Sequence, residues 1–294
     1  MAKKLLPAFV SLIMLLSAVA FAEEPATLMI AEQGMFSASG IVTQPVEGEY
    51  DATTNWLDAT CAGNTAHVDH ANVLYQIPAN DNGNPIVYLH GCGQSRMGWM
   101  TTPDGREGWA TMFLRNGHST YLVDQPGRGE AGAQVSMTTD GFLDVWAEDS
   151  KDYKPGDQTG NKSIFITHSQ GGAVGWDVPV ENMSAIIAIE PGGTPQVGSE
   201  QYQRLLEANI PIAIYFGDYI DNGPEEIQST AFWKGVRDGT LEFAEHYNAD
   251  GGDCTVVDLP KEGITGNSHF MFQEMNNQAI ADHIEAWLGE HGLN

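Results

Sequence analysis

Six short runs of apolar residues mark the chain from Pro85 onward: Pro85–His90 (PIVYLH), Ser119–Asp124 (STYLVD), Ser163–Thr167 (SIFIT), Ala185–Glu190 (AIIAIE), Pro211–Gly217 (PIAIYFG) and Cys254–Leu259 (CTVVDL). They are rich in β-branched and aromatic residues and almost continuously apolar, as strands covered on both faces must be. Segments of helix length separate them and predict helices at Arg106–Arg115, Gln170–Asp177, Glu225–Arg237 and Gln273–Leu288. Strands alternating with helices predict a mostly parallel sheet with helices on both faces. Two earlier segments, Met35–Val42 and His67–Ile77, alternate apolar with polar residues and predict a leading antiparallel hairpin. Around 126–162 the pattern gives way to Gly-, Asp- and Thr-containing sequence that carries Phe142, Trp146 and Tyr153. A cap-like insertion is expected there, over the carboxyl ends of the strands, where open α/β sheets bind ligands.

The amino terminus reads differently. Lys3 and Lys4 precede an apolar stretch from Leu5 to Val19, and Ala20-Phe21-Ala22 has the small-x-small form of a signal-peptidase site. Residues 1–22 are therefore expected to be a cleaved signal peptide, with 23–294 a single periplasmic or secreted domain. The apolar stretch is shorter than the roughly 20 residues a bilayer span needs, so no membrane partner is expected once the signal is removed. Acidic residues number 39 against 13 basic ones, and a surface this negative repels nucleic acid. Cys61, Cys92 and Cys254 carry no metal-ligand spacing. In an oxidising compartment a Cys61–Cys254 disulfide is one pairing open to them.

The chemistry centres on Thr167-His168-Ser169-Gln170-Gly171-Gly172, directly after SIFIT and before a helical segment. A serine on a tight strand-to-helix turn has its hydroxyl pushed clear of the backbone. The alternative is an ordinary serine N-cap. Thr167 stands where the G-x-S-x-G pattern has glycine, and the two glycines after Gln170 leave room for helix to pack on strand. Upstream, PIVYLH runs into Gly91-Cys92-Gly93-Gln94. The backbone N–H groups of Cys92 and Gln170 are the expected oxyanion donors. The Cys92 thiol has no such turn around it and is not read as a nucleophile, and His90 is read as a buried hydrogen-bonding residue. A base must follow the acid in the chain. His269, in the small-residue loop Gly266-Asn267-Ser268-His269, is the candidate over His246, His283 and His291, which fall on helices or at the terminus. The acid stays open at this level between Glu190, which ends AIIAIE before Pro191-Gly192-Gly193, and Asp218, which follows PIAIYFG.

His90, the run TTPDGREGW (Thr101–Trp109), FLRNG, STYLVDQPGRG (Ser119–Gly129), HSQGG, IEPGG and GNSHFMFQEMNN (Gly266–Asn277) together resemble a small group of bacterial esterases in the α/β-hydrolase superfamily. The resemblance runs from about Pro85 onward. It implies the α/β-hydrolase fold and a Ser–His–Glu triad of Ser169, His269 and Glu190, with Cys92 and Gln170 at the oxyanion positions. It also implies esterase chemistry without a cofactor or metal on a small-molecule or polymeric ester. A relative in that group has Cys-Cys where this chain has Cys92-Gly93, so a disulfide between adjacent cysteines has no counterpart here. Two other functions fit the same residues: an amidase or other acyl transferase on this triad, and a non-catalytic binding module that keeps the fold. His67, Asp69 and His70 do not converge on a strand, and Asp218, Asp221 and Glu225 lack a calcium-loop pattern. Trp99, Trp109 and Trp176 are read as core, with Trp146 the pocket candidate of the tryptophans.

Overall fold

The computed structural model describes residues 26–38, 40–43, 46–49, 53, 62–63, 66–68, 70–131, 162–224 and 226–294. The expected signal peptide, Cys61, Asp69, Glu225 and most of the expected cap insertion, with Phe142, Trp146 and Tyr153, lie outside them.

The strands are β1 (Ile30–Ala38), β2 (Ile41–Thr43), β3 (Ala66–Val68), β4 (Ala71–Pro78), β5 (Ile86–Leu89), β6 (Thr120–Asp124), β7 (Ser163–His168), β8 (Met183–Ile189), β9 (Ile212–Phe216) and β10 (Cys254–Asp258). Eight form one sheet in the order β1-β4-β6-β5-β7-β8-β9-β10, and β2 pairs with β3 alone. The pairs β5–β6, β5–β7, β7–β8, β8–β9 and β9–β10 are parallel. β1 and β4 run antiparallel, with Met35 opposite Leu74, so the two early alternating segments do pair as expected. This is the α/β-hydrolase fold.

The continuous apolar character of the strands has a simple cause. Successive side chains point to opposite faces, and here both faces are covered. Val87, Leu89, Phe165, Ile186, Ala188, Ile212 and Ile214 meet Trp176, Tyr202, Phe243 and Tyr247 on one side. Ile86, Tyr88, Ile164, Ile166, Ile187, Ala213 and Tyr215 meet Trp99, Trp109, Phe113, Phe272 and Ile284 on the other. Trp99, Trp109 and Trp176 are thus core residues.

Helix boundaries moved more than strand boundaries. The expected Glu225–Arg237 helix is instead Gln228–Ala249, running through Gly235 and Gly239, which stand in open space. The expected Arg106 start moves to Trp109, because Arg106 instead bridges the carbonyls of Gln273 and Glu274 and the Asn277 amide oxygen. The closing helix is Asn277–Glu290. Its C-cap His291 is not frayed, since Nδ1 bonds the Trp287 carbonyl and Nε2 lies 3.0 Å from Asp253. Cys254 is a buried free thiol, and burial pushes its pKa up to about 12. Among the described residues no helix is long and apolar enough to cross a membrane. No group of three His, Cys, Asp or Glu side chains among them could hold a metal ion, and Asp221 instead pairs with Arg237.

Candidate active site

β7 ends at His168, and the next residue, Ser169, takes φ 53° and ψ −118°. Non-glycine residues rarely adopt that region, and it turns the chain straight into the helix Gln170–Gly175. The Ser169 carbonyl locks the turn by accepting from the amides of Gly172 (3.0 Å), Ala173 (3.2 Å) and Gly192 (2.8 Å). Ser169 shows no cap hydrogen bond from its side chain, so the N-cap reading of this serine fails. Thr167 fits the glycine position because the helix behind it gives way. Its Cγ2 lies 2.9 Å from the point where a Cβ on Gly175 would stand.

The turn of Glu190 is the neighbour of the serine turn. Glu190 directly follows β8 at φ 38°, and the Gly192 amide of this turn is the one that bonds the Ser169 carbonyl. The Glu190 side chain is buried. Its Oε1 accepts from the Gly217 amide at 2.8 Å and its Oε2 meets His269 Nδ1 at 2.6 Å. A buried carboxylate needs such partners to offset its lost hydration. Asp218 does something else: its two carboxylate oxygens accept from the amides of Gly266 (2.8 Å) and Asn267 (3.2 Å). It holds the loop that carries His269 and makes no bond to the imidazole. Beyond His269 the same loop is held by Glu274, which accepts from the Ser268 hydroxyl and amide.

The His269 ring is half-buried between His168 and Trp233, each with ring centroids 4.4 Å away. Among the described residues no hydrogen bond joins it to Ser169. A hydrogen bond between a nucleophile and its base often forms only around a substrate. Gly91 comes close to the serine, since a Cβ on it would lie 2.9 Å from Ser169 Cβ. Neither the Cys92 nor the Gln170 amide donates to another backbone acceptor among the described residues. The Cys92 thiol is exposed and free.

Residues 86–250 match a family model described as the alpha/beta hydrolase family, more than half of the chain. The chain belongs to the α/β-hydrolase family. Among solved structures this hydrolase resembles a bacterial esterase at 26% identity and a TM-score of 0.72, over 91% of this chain and 98% of the other. It also resembles Est1E of Butyrivibrio proteoclasticus, solved with ferulic acid, at 15% identity and a TM-score of 0.51, over 76% and 96% of the two chains; that likeness concerns the fold alone. A probable secreted lipase, phiG, of a fungal species (strain ATCC 74256) is 24% identical, over 69% of this chain and 81% of its own. The hydrolase is thus of the α/β type, close to esterases and lipases.

The hydrolase also uses residues to which the sequence reading gave no role. His168 donates from Nε2 to the His269 carbonyl (2.8 Å) and accepts at Nδ1 from Gln94 Nε2 (3.1 Å). Gln94 Oε1 in turn accepts from the Gly91 amide at 3.4 Å. This uncharged chain ties the Gly91–Gln94 loop to the loop of His269. Burial, with the neighbouring His269 adding to it, pushes the His168 pKa well below its usual range and keeps the ring neutral, while its two partners set the tautomer. Only the adjacency of His168 to Ser169 could have signalled this from sequence.

His90, expected to be a buried hydrogen-bonding residue, is one. Nδ1 donates to the Gly91 carbonyl at 2.9 Å and Nε2 accepts from the Gln125 amide at 3.3 Å. Burial pushes its pKa down to about 4. The folded ring therefore stays neutral where an unfolded one would protonate, so its stabilising contribution is full above about pH 6.5 and lost as pH falls toward about 4. Replacing His90 with Gln should flatten the fall in stability between pH 7 and pH 5 by about 2 kcal/mol. Urea unfolding of both proteins at the two pH values measures this difference of slopes, and equal slopes would contradict it.

Proposed function

We propose that this hydrolase cleaves carboxylic esters through an acyl-enzyme on Ser169, with His269 as general base and Glu190 as the group that orients it. The observation that carries the reading is the 2.6 Å bond between His269 Nδ1 and buried Glu190, made beside a serine held at positive φ. That bond leaves Nε2 of His269 as the nitrogen able to take the Ser169 proton. Ser169 Oγ then attacks the ester carbonyl, and the amide N–H groups of Cys92 and Gln170 receive the negative oxygen. His269 returns the proton to the leaving alcohol, and a water activated by the same imidazole releases the acid. The Glu190 carboxylate stabilises the imidazolium in both halves. The likeness to a bacterial esterase supports ester chemistry, and that to a probable secreted lipase supports export after removal of residues 1–22.

The test is release of p-nitrophenol from p-nitrophenyl acetate and butyrate by the protein and by Ser169→Ala. Hydrolysis that depends on Ser169 is expected; equal rates in the two proteins would overturn the reading. Because Cys92 serves through its amide, Cys92→Ala should keep kcat/KM within about threefold. A bulky maleimide on its exposed thiol should block turnover of the unaltered protein and leave that variant untouched.

A further inference from the structure

The other five arginines of the chain each pair with a carboxylate. Arg128 has no such partner among the described residues, although the formal net charge of the chain is −26. Its guanidinium goes to the candidate oxyanion site. One nitrogen donates to Gln170 Oε1 at 2.8 Å and the other reaches the Gly91 carbonyl at 3.4 Å. These are the two segments that carry the oxyanion donors. Gln170 bears one donor on its own backbone, and the Gly91 carbonyl belongs to the same peptide unit as the Cys92 N–H. A planar unit bonded through its oxygen presents its N–H in the opposite direction.

The turn that delivers Arg128 is itself fixed. The Arg128 amide bonds the Gln125 carbonyl at 2.9 Å, and its own carbonyl accepts from Ala131 at 2.9 Å. Gln125 is tied to the oxyanion strand by donating from Nε2 to the His90 carbonyl at 2.6 Å. Behind the turn, buried Asp124 accepts from the Arg96 amide at 2.8 Å and the Glu130 amide at 3.0 Å. The end of β6 thus presents a rigid cation to the two loops at once, and the fork geometry of a guanidinium suits two acceptors better than an ammonium does.

We propose that Arg128 is a positioning residue for the oxyanion hole, a statement that rests on the esterase reading above. It holds the Gly91–Cys92 peptide and Gln170 in register so that their N–H groups converge, and its charge polarises the Gly91–Cys92 unit toward stronger donation. Its contribution then falls in the transition state, where charge reaches the carbonyl oxygen, and hardly in ground-state binding.

The experiment compares Arg128→Met and Arg128→Lys with the unaltered protein and Ser169→Ala on p-nitrophenyl butyrate, with kcat expressed per serine titrated by a fluorophosphonate so that only folded sites count. For Arg128→Met the expected result is a kcat lower by roughly ten- to a hundredfold with KM within about threefold, somewhat less than the loss of an oxyanion donor itself. Affinity for a trifluoromethyl ketone, whose adduct carries an oxyanion, should fall by a similar factor. Arg128→Lys, able to reach one acceptor but not both, should recover only part of the loss. Wild-type kcat in both variants would overturn the proposal. So would a loss seen only in KM and only with esters bearing a carboxylate, since Arg128 would then be a substrate contact. If the unaltered protein and Ser169→Ala hydrolyse the ester equally, the esterase reading itself fails.

Discussion

Ser169→Ala should lower kcat/KM for a short-chain ester by roughly 10⁵-fold or more, leaving only what binding and the oxyanion donors give without a nucleophile. The reason is local. Ser169 sits at φ 53°, a conformation that cannot be kept for packing alone: the side chain donates to no described partner and the turn that holds it consumes three amides. Alanine adopts the same turn with similar strain, so folding should survive while the chemistry is lost. His269→Ala should be nearly as damaging, and the double variant hardly worse than either single one, because the two act as a unit. Initial rates and urea midpoints measured on the same preparations check both halves of the statement. A large loss of stability alongside the loss of rate would point to a serine kept for folding.

The second large effect separates two carboxylates that the apolar pattern alone left level. Glu190→Gln should reduce kcat by about 10⁴-fold, as expected when the group that fixes the imidazole tautomer turns into an amide. The amide can still accept the Gly217 hydrogen bond, so the fold around it should hold. Asp218→Asn should keep more than about a tenth of the activity. Among the described residues the Asp218 carboxylate bonds the Gly266 and Asn267 amides, and weakening those bonds loosens the loop of His269 at a stability loss of about 1 kcal/mol. Steady-state rates for the two variants, with their thermal midpoints, give the answer. A crippled Asp218→Asn beside an active Glu190→Gln would reverse the assignment.

The sheet was legible because its chemistry is local. A strand covered on both faces has to be apolar at every position, and the six runs from PIVYLH to CTVVDL each became a strand within about two residues of the expected ends. Helix ends depend on distant partners and were less legible. The expected helix Glu225–Arg237 already contains Gly235, but it stops short of Gly239, whereas the helix runs on to Ala249. Glycine at each of these two positions costs about 1 kcal/mol against alanine, and the buried Phe243, Ala244 and Tyr247 beyond them outweigh it. The short helix Glu200–Glu207 escaped notice because it lies among polar and glycine-containing residues that give no clear period.

The site divides in the same way. Ser169, Cys92 and Gln170 follow from a glycine pattern read against a strand, and His269 from its place in a small-residue loop. The pairing of His269 with Glu190 spans 79 residues and that of Arg128 with Gln170 spans 42. No periodicity announces contacts of that reach. Trp233, packed on the His269 ring, lies in a helix whose face cannot be aimed without the sheet behind it. The resemblance to bacterial esterases implies Glu190 ahead of Asp218, and Glu190 Oε2 lies 2.6 Å from His269 Nδ1.

The central claim is that Ser169 becomes covalently acylated during turnover, and one measurement reaches it directly. The protein is treated with an alkyl fluorophosphonate, its residual ester hydrolysis is followed, and the adduct is located by mass spectrometry of the intact chain and of its peptides. The account predicts one adduct per chain on Ser169, formed in step with the loss of activity and absent from Ser169→Ala and, at comparable times, from His269→Ala. An adduct on another serine, or ester hydrolysis that continues undiminished with Ser169 fully labelled, would contradict it.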